Sequence, residues 1–491
     1  MLKRIRTILA AVVFILITLL FLDFTGTAHH WLSWMAKVQF LPAVLALNVS
    51  VVVMLIVLTL IFGRIYCSVI CPLGVFQDIL ARFHRKKNKY GYSKEVRWLR
   101  YPVLVVFVIA LVAGVGSFFQ LLAPYSSYGR IATMIFQPLW MLGNNVLAVI
   151  AERADSYAFY SVDVWMKSLP VFIIALVTLV VLFVLAWRGG RTYCNTICPV
   201  GTTLSFFSRF SLLKIRFDAD KCKNCSMCSR NCKAACIDYK THTVDYSRCV
   251  VCGNCISNCK FGALKYSGRT SRTSPASSSS SVDISKRSFL LASAMVAGAA
   301  MAQKKEKLMD GGLAELDDKV APERQTPLTP PGSLSFQHFA QRCTGCQLCV
   351  SECPNHVLRP SGDLMHLMLP EMSYEHGYCR PECTRCSEVC PAGAIKVVDK
   401  PEKSSVQIGH AVWIKKNCVV LTDEVECGNC ARHCPSGAIE MVPLDPDNEE
   451  SPMIPAINEA ACIGCGACEY VCPSRPFSAI YVEGHGVHKK I

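Results

Sequence analysis

Long apolar stretches fill the first part of the chain and end near residue 190. Four of them, at 8–22, 41–62, 101–122 and 169–187, approach the roughly 20 residues that a helix needs to cross a bilayer. Basic clusters follow or precede them in alternation: LKRIR before the first, RFHRKKNKYGYSKEVRWLR between the second and third, RGGR after the fourth. Positive flanks mark cytoplasmic ends, so the pattern predicts four spans with both termini of the bundle inside. Residues 131–150 are also apolar, but Gln137, Pro138, Asn144 and Asn145 interrupt them, and an extra span would put RGGR outside. That stretch is predicted to be a re-entrant or surface helix.

Two segments of this bundle repeat. RIYCSVICPLG (64–74) and RTYCNTICPVG (191–201) share the arginine, tyrosine, both cysteines, isoleucine, proline and final glycine, and each follows an even-numbered span. The unit is two spans plus a C-x3-C-P tail, used twice, with both tails on the cytoplasmic face. A pseudo-twofold axis along the membrane normal would bring the tails together. Cys67, Cys71, Cys194 and Cys198 are therefore a candidate metal site, or alternatively a reversible disulfide pair.

The net charge of +15 is unevenly spread. Residues 1–302 hold 33 Lys+Arg against 11 Asp+Glu, hence +22, whereas residues 303–491 hold 18 against 25, hence −7. The positive charge sits beside apolar spans, which fits membrane topology and a lipid environment rather than nucleic-acid binding.

Most of the chemistry lies in 29 cysteines. CKNCSMCSRNC (222–232) and CVVCGNCISNC (249–259) both follow C-x2-C-x2-C-x3-C. Three closely spaced thiolates wrap one iron–sulfur cubane, and a fourth from across the fold completes the neighbouring one. Cys222, Cys225, Cys228 and Cys259 are thus assigned to one 4Fe–4S cluster, and Cys249, Cys252, Cys255 and Cys232 to another; Cys236 is left as a packed thiol.

A Ser-rich stretch (267–281) leads to KRSFLLASAMVAGAAMAQKK (286–305), which has the basic pair, short apolar run and small residues of an export signal. Beyond it the chain is acidic and carries four more runs. Their cysteines are Cys343, Cys346, Cys349 and Cys353; Cys379, Cys383, Cys386 and Cys390; Cys418, Cys427, Cys430 and Cys434; and Cys462, Cys465, Cys468 and Cys472. All four end in Cys-Pro, and three precede an Ala-Ile pair expected to start a short strand. Adjacent and nested pairings of these runs fit the spacing equally well.

Residues 1–265 resemble the membrane ferredoxin subunit of periplasmic nitrate reductase systems (NapH-like), and residues 285–491 resemble its exported four-cluster partner (NapG-like, or the methylamine-utilisation type). Lys286 stands where the twin-arginine signal has its first arginine. The expected architecture is an α-helical membrane bundle of four spans plus a fifth, an α+β ferredoxin-like di-cluster domain and a second polyferredoxin domain. The expected boundaries are 1–206, 207–266, a linker at 267–284, a signal-like helix or fifth span at 285–303, and 304–491. The resemblance implies six 4Fe–4S clusters in an inner-membrane protein, two clusters cytoplasmic and four periplasmic. It also implies electron transfer from the quinone pool to a periplasmic reductase. The alternative is an iron–sulfur reductase that matures or regulates another respiratory enzyme. The chain shows no C-x-x-C-H, no histidine inside a span, no G-x-G-x-x-G and no P-loop, so neither haem nor nucleotide is expected. His29 and His30, beyond the first span, are either proton acceptors for quinol or interfacial polar residues.

Overall fold

The computed structural model describes residues 2–83, 90–114, 116–268, 319–448 and 451–491. Apart from Ser267 and Gly268, the expected linker and the signal-like helix at 285–303 lie outside these residues.

The apolar part folds into α1 (Leu2–Leu22), α2 (Ala28–Lys37), α3 (Phe40–Leu45), α4 (Val49–Phe62), α5 (Tyr66–Val69), α6 (Pro72–Leu80), α7 (Arg97–Val112) and α8 (Gly116–Leu122). It continues through α9 (Pro124–Ile131), a π-helical turn (Ala132–Phe136), α10 (Gln137–Arg153), α11 (Leu169–Gly189), α12 (Thr192–Thr196) and α13 (Pro199–Ser208). Two cysteine-rich segments, 213–268 and 319–491, pack at opposite ends of these helices. At the first end, Lys3 of α1 meets Gly253, the end of α4 meets Val251, and Arg100 of α7 donates to Ser247. Gly190, just after α11, meets Lys233 there as well. At the other end Gly26 abuts Arg385, Ala46 abuts Gly393, Gly114 abuts Gln341, and Pro170 of α11 abuts Gly362.

Helix lengths depart from expectation in three places. The second and third runs are broken. Leu47 adopts a left-handed conformation (φ 55°), after which Asn48 caps α4 by accepting from the Val51 amide at 3.3 Å. Gly114 (φ 74°) likewise separates α7 from α8. The third departure is the stretch at 131–150, set aside as too polar to span. Residues Pro124–Arg153 are a single helical run of 30 residues, which joins Leu2–Leu22 and Leu169–Gly189 as the three described helices long and apolar enough to cross a membrane. Pro138 lies in the middle of this run, directly after the π-turn, where the regular i→i−4 hydrogen-bond ladder is already interrupted, so its missing N–H breaks no further regular turn. Asn144 and Asn145 donate to the carbonyls of Tyr160 and Val162, each at 2.8 Å, so neither amide is left unsatisfied in an apolar helix.

The cysteine-rich segments are built from two-stranded antiparallel sheets. In the first, β1 (Lys214–Phe217), β2 (Ile237–Asp238), β3 (Thr243–Val244) and β4 (Leu264–Ser267) pair as β1–β4 and β2–β3. In the second, β5 (Leu358–Pro360) pairs with β6 (Pro370–Met372). Further on, β7 (Val406–Trp413), β8 (Ile439–Pro443), β9 (Met453–Ile457) and β10 (Ile480–Lys490) pair as β7–β10 around β8–β9. Two of the three Ala-Ile pairs, at Ile439 and Ile480, start strands as expected; Ile395 does not.

Candidate functional site

The six cysteine loops face one another in three pairs, and the thiols gather in fours. Cys222, Cys225, Cys228 and Cys259 line one cavity. Cys249, Cys252, Cys255 and Cys232 lie within mutual electrostatic reach. Cys236 packs beside this set, with its sulfur 3.5 Å from that of Cys232. In the second segment the pairing left open by spacing is adjacent, not nested. Cys353 joins Cys379, Cys383 and Cys386 around a cavity, while Cys390 faces Cys343, Cys346 and Cys349. Cys472 joins Cys418, Cys427 and Cys430, and Cys434 faces Cys462, Cys465 and Cys468.

The donor sets fit iron–sulfur clusters. Burial pushes the thiols of Cys228, Cys252 and Cys430 up to about 11, so thiolates there need positive charge beside them, which iron supplies. Backbone amides aim at several sulfurs: Ile395 at Cys390 (3.4 Å), Ala438 at Cys434 (3.3 Å) and Ala479 at Cys472 (3.3 Å). Lys403, almost fully buried, donates to the carbonyls of Arg380 (2.6 Å) and Cys383 and lies against Cys379.

The two C-x3-C-P tails converge. Cys67, Cys71, Cys194 and Cys198 are all buried and close enough to interact electrostatically with one another. Pro72 and Pro199 open α6 and α13, so each second cysteine sits at a helix cap rather than on a continuous turn. Gly74 and Gly201, the glycines that end the two repeats, serve close approach: a Cβ at either would collide with the carbonyl oxygen of Cys67 or Cys194. Arg64 donates to the Cys67 sulfur at 3.7 Å, Gln77 to the Cys194 sulfur at 3.3 Å, and Arg191 to the Cys67 carbonyl at 2.6 Å. Asp78 ties this centre together, binding Arg6 (3.1 Å), Arg191 (2.9 Å) and Lys233 (3.3 Å).

A cavity of about 260 Å³ lies where the start of α10 and the 160–167 loop meet the second cysteine segment. Phe24, Met141, Tyr160 and Trp165 give it apolar walls, while Gln137, Asp163, Lys167 and His356 add polar groups. Cys353 is shared by this wall and the neighbouring cysteine cavity. Lys167 donates to Gln137 at 2.8 Å, and burial pulls its ammonium down to about 8. The indole N–H of Trp165 is buried without a partner. Close by, His29 is buried in protein, with Nδ1 3.6 Å from Glu352 and Nε2 3.5 Å from Glu388. His30 is exposed and packs edge-on to Trp31. Burial, reinforced by Asp23, pushes the Glu352 carboxyl up to about 8. Glu352 lies inside a cysteine run and Lys167 in a loop, so neither gave a sequence signal; only the packing of the two segments finds them.

Paired cysteine loops closed by short antiparallel ribbons define an iron–sulfur electron-transfer protein of the ferredoxin class. A family described as 4Fe-4S binding domain matches residues 44–90 and 170–218, and two described as 4Fe-4S dicluster domain match 245–357 and 425–475. The methylamine utilization ferredoxin-type protein MauM of Paracoccus denitrificans is 31% identical over 173 residues, covering 33% of this chain and 73% of that protein. The ferredoxin-type protein NapG of Escherichia coli is 28% identical over 181 residues, 33% of this chain and 75% of that protein. The chain belongs to this MauM/NapG-type ferredoxin family. The putative electron transport protein YccM of Escherichia coli is 26% identical over 197 residues, 39% of this chain and 47% of that protein. The chain thus spans about half the length of some curated relatives, including an uncharacterized Methanocaldococcus jannaschii protein of which it covers 54%. No solved structure matches.

Proposed function

We propose that this ferredoxin carries six 4Fe–4S clusters and that it takes electrons from membrane quinol and passes them through 4Fe–4S clusters to a separate periplasmic redox protein. Residues 1–206 form the lipid-embedded part, 207–266 hold two clusters on the cytoplasmic side, and 304–491 hold four on the periplasmic side, with 285–303 as the tether. The 24 cysteines of the six C-x-x-C-type sets hold the clusters, each of which accepts and releases one electron when bound.

The cavity beside Cys353 carries the quinol assignment. Its walls suit a flat ring with an apolar tail, and Lys167, Gln137 and the Trp165 indole N–H are donors or acceptors for the two ring oxygens. Small-molecule sites of this kind combine apolar lining with a few placed polar groups. Cys353 in the wall leaves no intervening residue between ring and cluster ligand set. Asn144 and Asn145 hold the Tyr160–Val162 wall in place from α10. His356 and the His29–Glu352 pair offer routes for the protons that quinol releases.

The test is menaquinol oxidation by membranes with and without the protein. The expected result is quinol oxidation that depends on the chain and that Lys167→Ala weakens chiefly through KM. Equal rates in both membranes would move the protein to the maturation or regulatory class.

A further inference from the structure

The four thiols of the C-x3-C-P repeats lie between the two cysteine-rich segments, and their surroundings call for an anion. Arg64 is completely buried, yet its partners are neutral: the Asn195 amide oxygen (3.0 Å), the carbonyls of Ser247 (2.9 Å) and Cys194 (3.1 Å), and the Cys67 sulfur. Among the described residues no carboxylate pairs with it. A buried, unpaired guanidinium is costly. Four neutral thiols or two disulfides would leave that charge uncompensated, whereas a metal centre held by four thiolates carries net negative charge. Gln77 and the Gly201 amide also donate to the Cys194 and Cys198 sulfurs, at 3.3 and 3.4 Å.

The position is equally specific. Toward the 213–268 segment, Arg191 and Asn195 bond to the carbonyls of Lys233 (2.9 Å) and Ala234 (3.2 Å), the residues that follow Cys232. Toward the 319–491 segment, buried Tyr66 and Tyr193 adjoin the four thiols. Tyr125 adjoins Tyr66 on one side and Cys346 and Cys390 on the other. Gly129 packs on the Cys346 carbonyl so closely that a Cβ would collide with it.

We propose that Cys67, Cys71, Cys194 and Cys198 share one iron–sulfur cluster, which relays electrons between the cluster of Cys232, Cys249, Cys252 and Cys255 and that of Cys343, Cys346, Cys349 and Cys390. Each relay step moves one electron from a reduced cluster to the oxidised shared centre, then from that centre to the next oxidised cluster. No bond is made or broken, and no proton is required. The proposal rests on the reading that the six other sets hold 4Fe–4S clusters, but not on quinol as the donor.

Two measurements on the full chain, purified anaerobically, test it. Iron and acid-labile sulfide should exceed the roughly 24 of six cubanes by about two to four per chain, and replacing all four cysteines with serine should remove only that excess. Proteoliposomes with entrapped dithionite and external ferricyanide should pass electrons in either orientation of the protein. The serine variant should lose this crossing at least tenfold while its remaining clusters stay reducible by dithionite. Should the quadruple variant fail to assemble, Arg64→Gln gives the second test: iron content unchanged, potential of the shared centre shifted negative. An iron count that stops at six cubanes, zinc in the four-cysteine site, or crossing unchanged in the serine variant would overturn the proposal.

Discussion

Replacing Asp78 with asparagine removes one negative charge on which three cations depend. Arg191 and Arg6 have side chains 0% and 9% exposed, and Lys233 is 15% exposed. Asparagine keeps the volume and one acceptor oxygen, so packing is little changed and the charge is the main loss. Breaking a buried ion pair from one side costs about 3–5 kcal/mol, because the abandoned charge stays desolvated. At about 2–4 °C per kcal/mol for a cooperative unit of about 150–250 residues, the apparent unfolding midpoint of the helical part in detergent should fall by about 6–20 °C. The loss should appear first where α1, α6, the α11–α12 turn and the 213–268 segment meet, so cluster absorbance from that segment should bleach earliest on heating. Asp218→Asn is the control: its partner Lys221 lies 3.0 Å away but is more than half exposed, and exposed pairs contribute little. A midpoint drop below about 2 °C for Asp78→Asn, or an equal drop for Asp218→Asn, would refute the reasoning.

Three other outcomes are expected. Cys390→Ser should cost the cluster of Cys343, Cys346 and Cys349 while that of its own run survives, and Cys353→Ser should do the reverse; each change lowers iron by about four per chain. Lys403→Met, which removes a buried positive charge beside Cys379, Cys383 and Cys386, should shift that cluster's potential negative by on the order of 100 mV in a redox titration followed by electron paramagnetic resonance. His488 is held at about 4, below its ordinary 6.5, mainly by burial and then by His485, with Nε2 3.0 Å from the Thr329 hydroxyl. Because the folded state favours its neutral form, stability is full above about pH 6.5 and is lost as pH falls towards 4, by about 2 kcal/mol at pH 5. Thermal midpoints at pH 7.5 and 5 should show this fall in the native chain and a smaller one in His488→Gln.

The cysteine sets were legible in the sequence because ligand spacing is set by the cluster, not by the rest of the fold. The convergence of the C-x3-C-P tails was legible for another reason: their internal repeat implies a shared orientation. Pairing among the four later runs was not legible, since Cys353 and Cys390 are equidistant in pattern from several partners; the β5–β6 hairpin decides it by folding the second run onto the first. Pro138 and the two asparagines misled because the sequence does not show that a π-turn precedes the proline or that the 160–162 backbone satisfies the amides. Asp78, Glu352, Lys167 and Lys403 are single polar residues whose partners lie 20 or more positions away, so periodicity and motif spacing carry no trace of them.

The most direct measurement of the central claim is the addition of a soluble menaquinol analogue to the anaerobic, oxidised protein, with cluster reduction followed by electron paramagnetic resonance. Reduced-cluster signals should appear within the mixing time of a manual assay in the native chain and be strongly slowed in Lys167→Ala, while dithionite reduces both proteins fully. Clusters that dithionite reduces but the quinol analogue leaves oxidised in the native chain would contradict quinol-linked electron transfer.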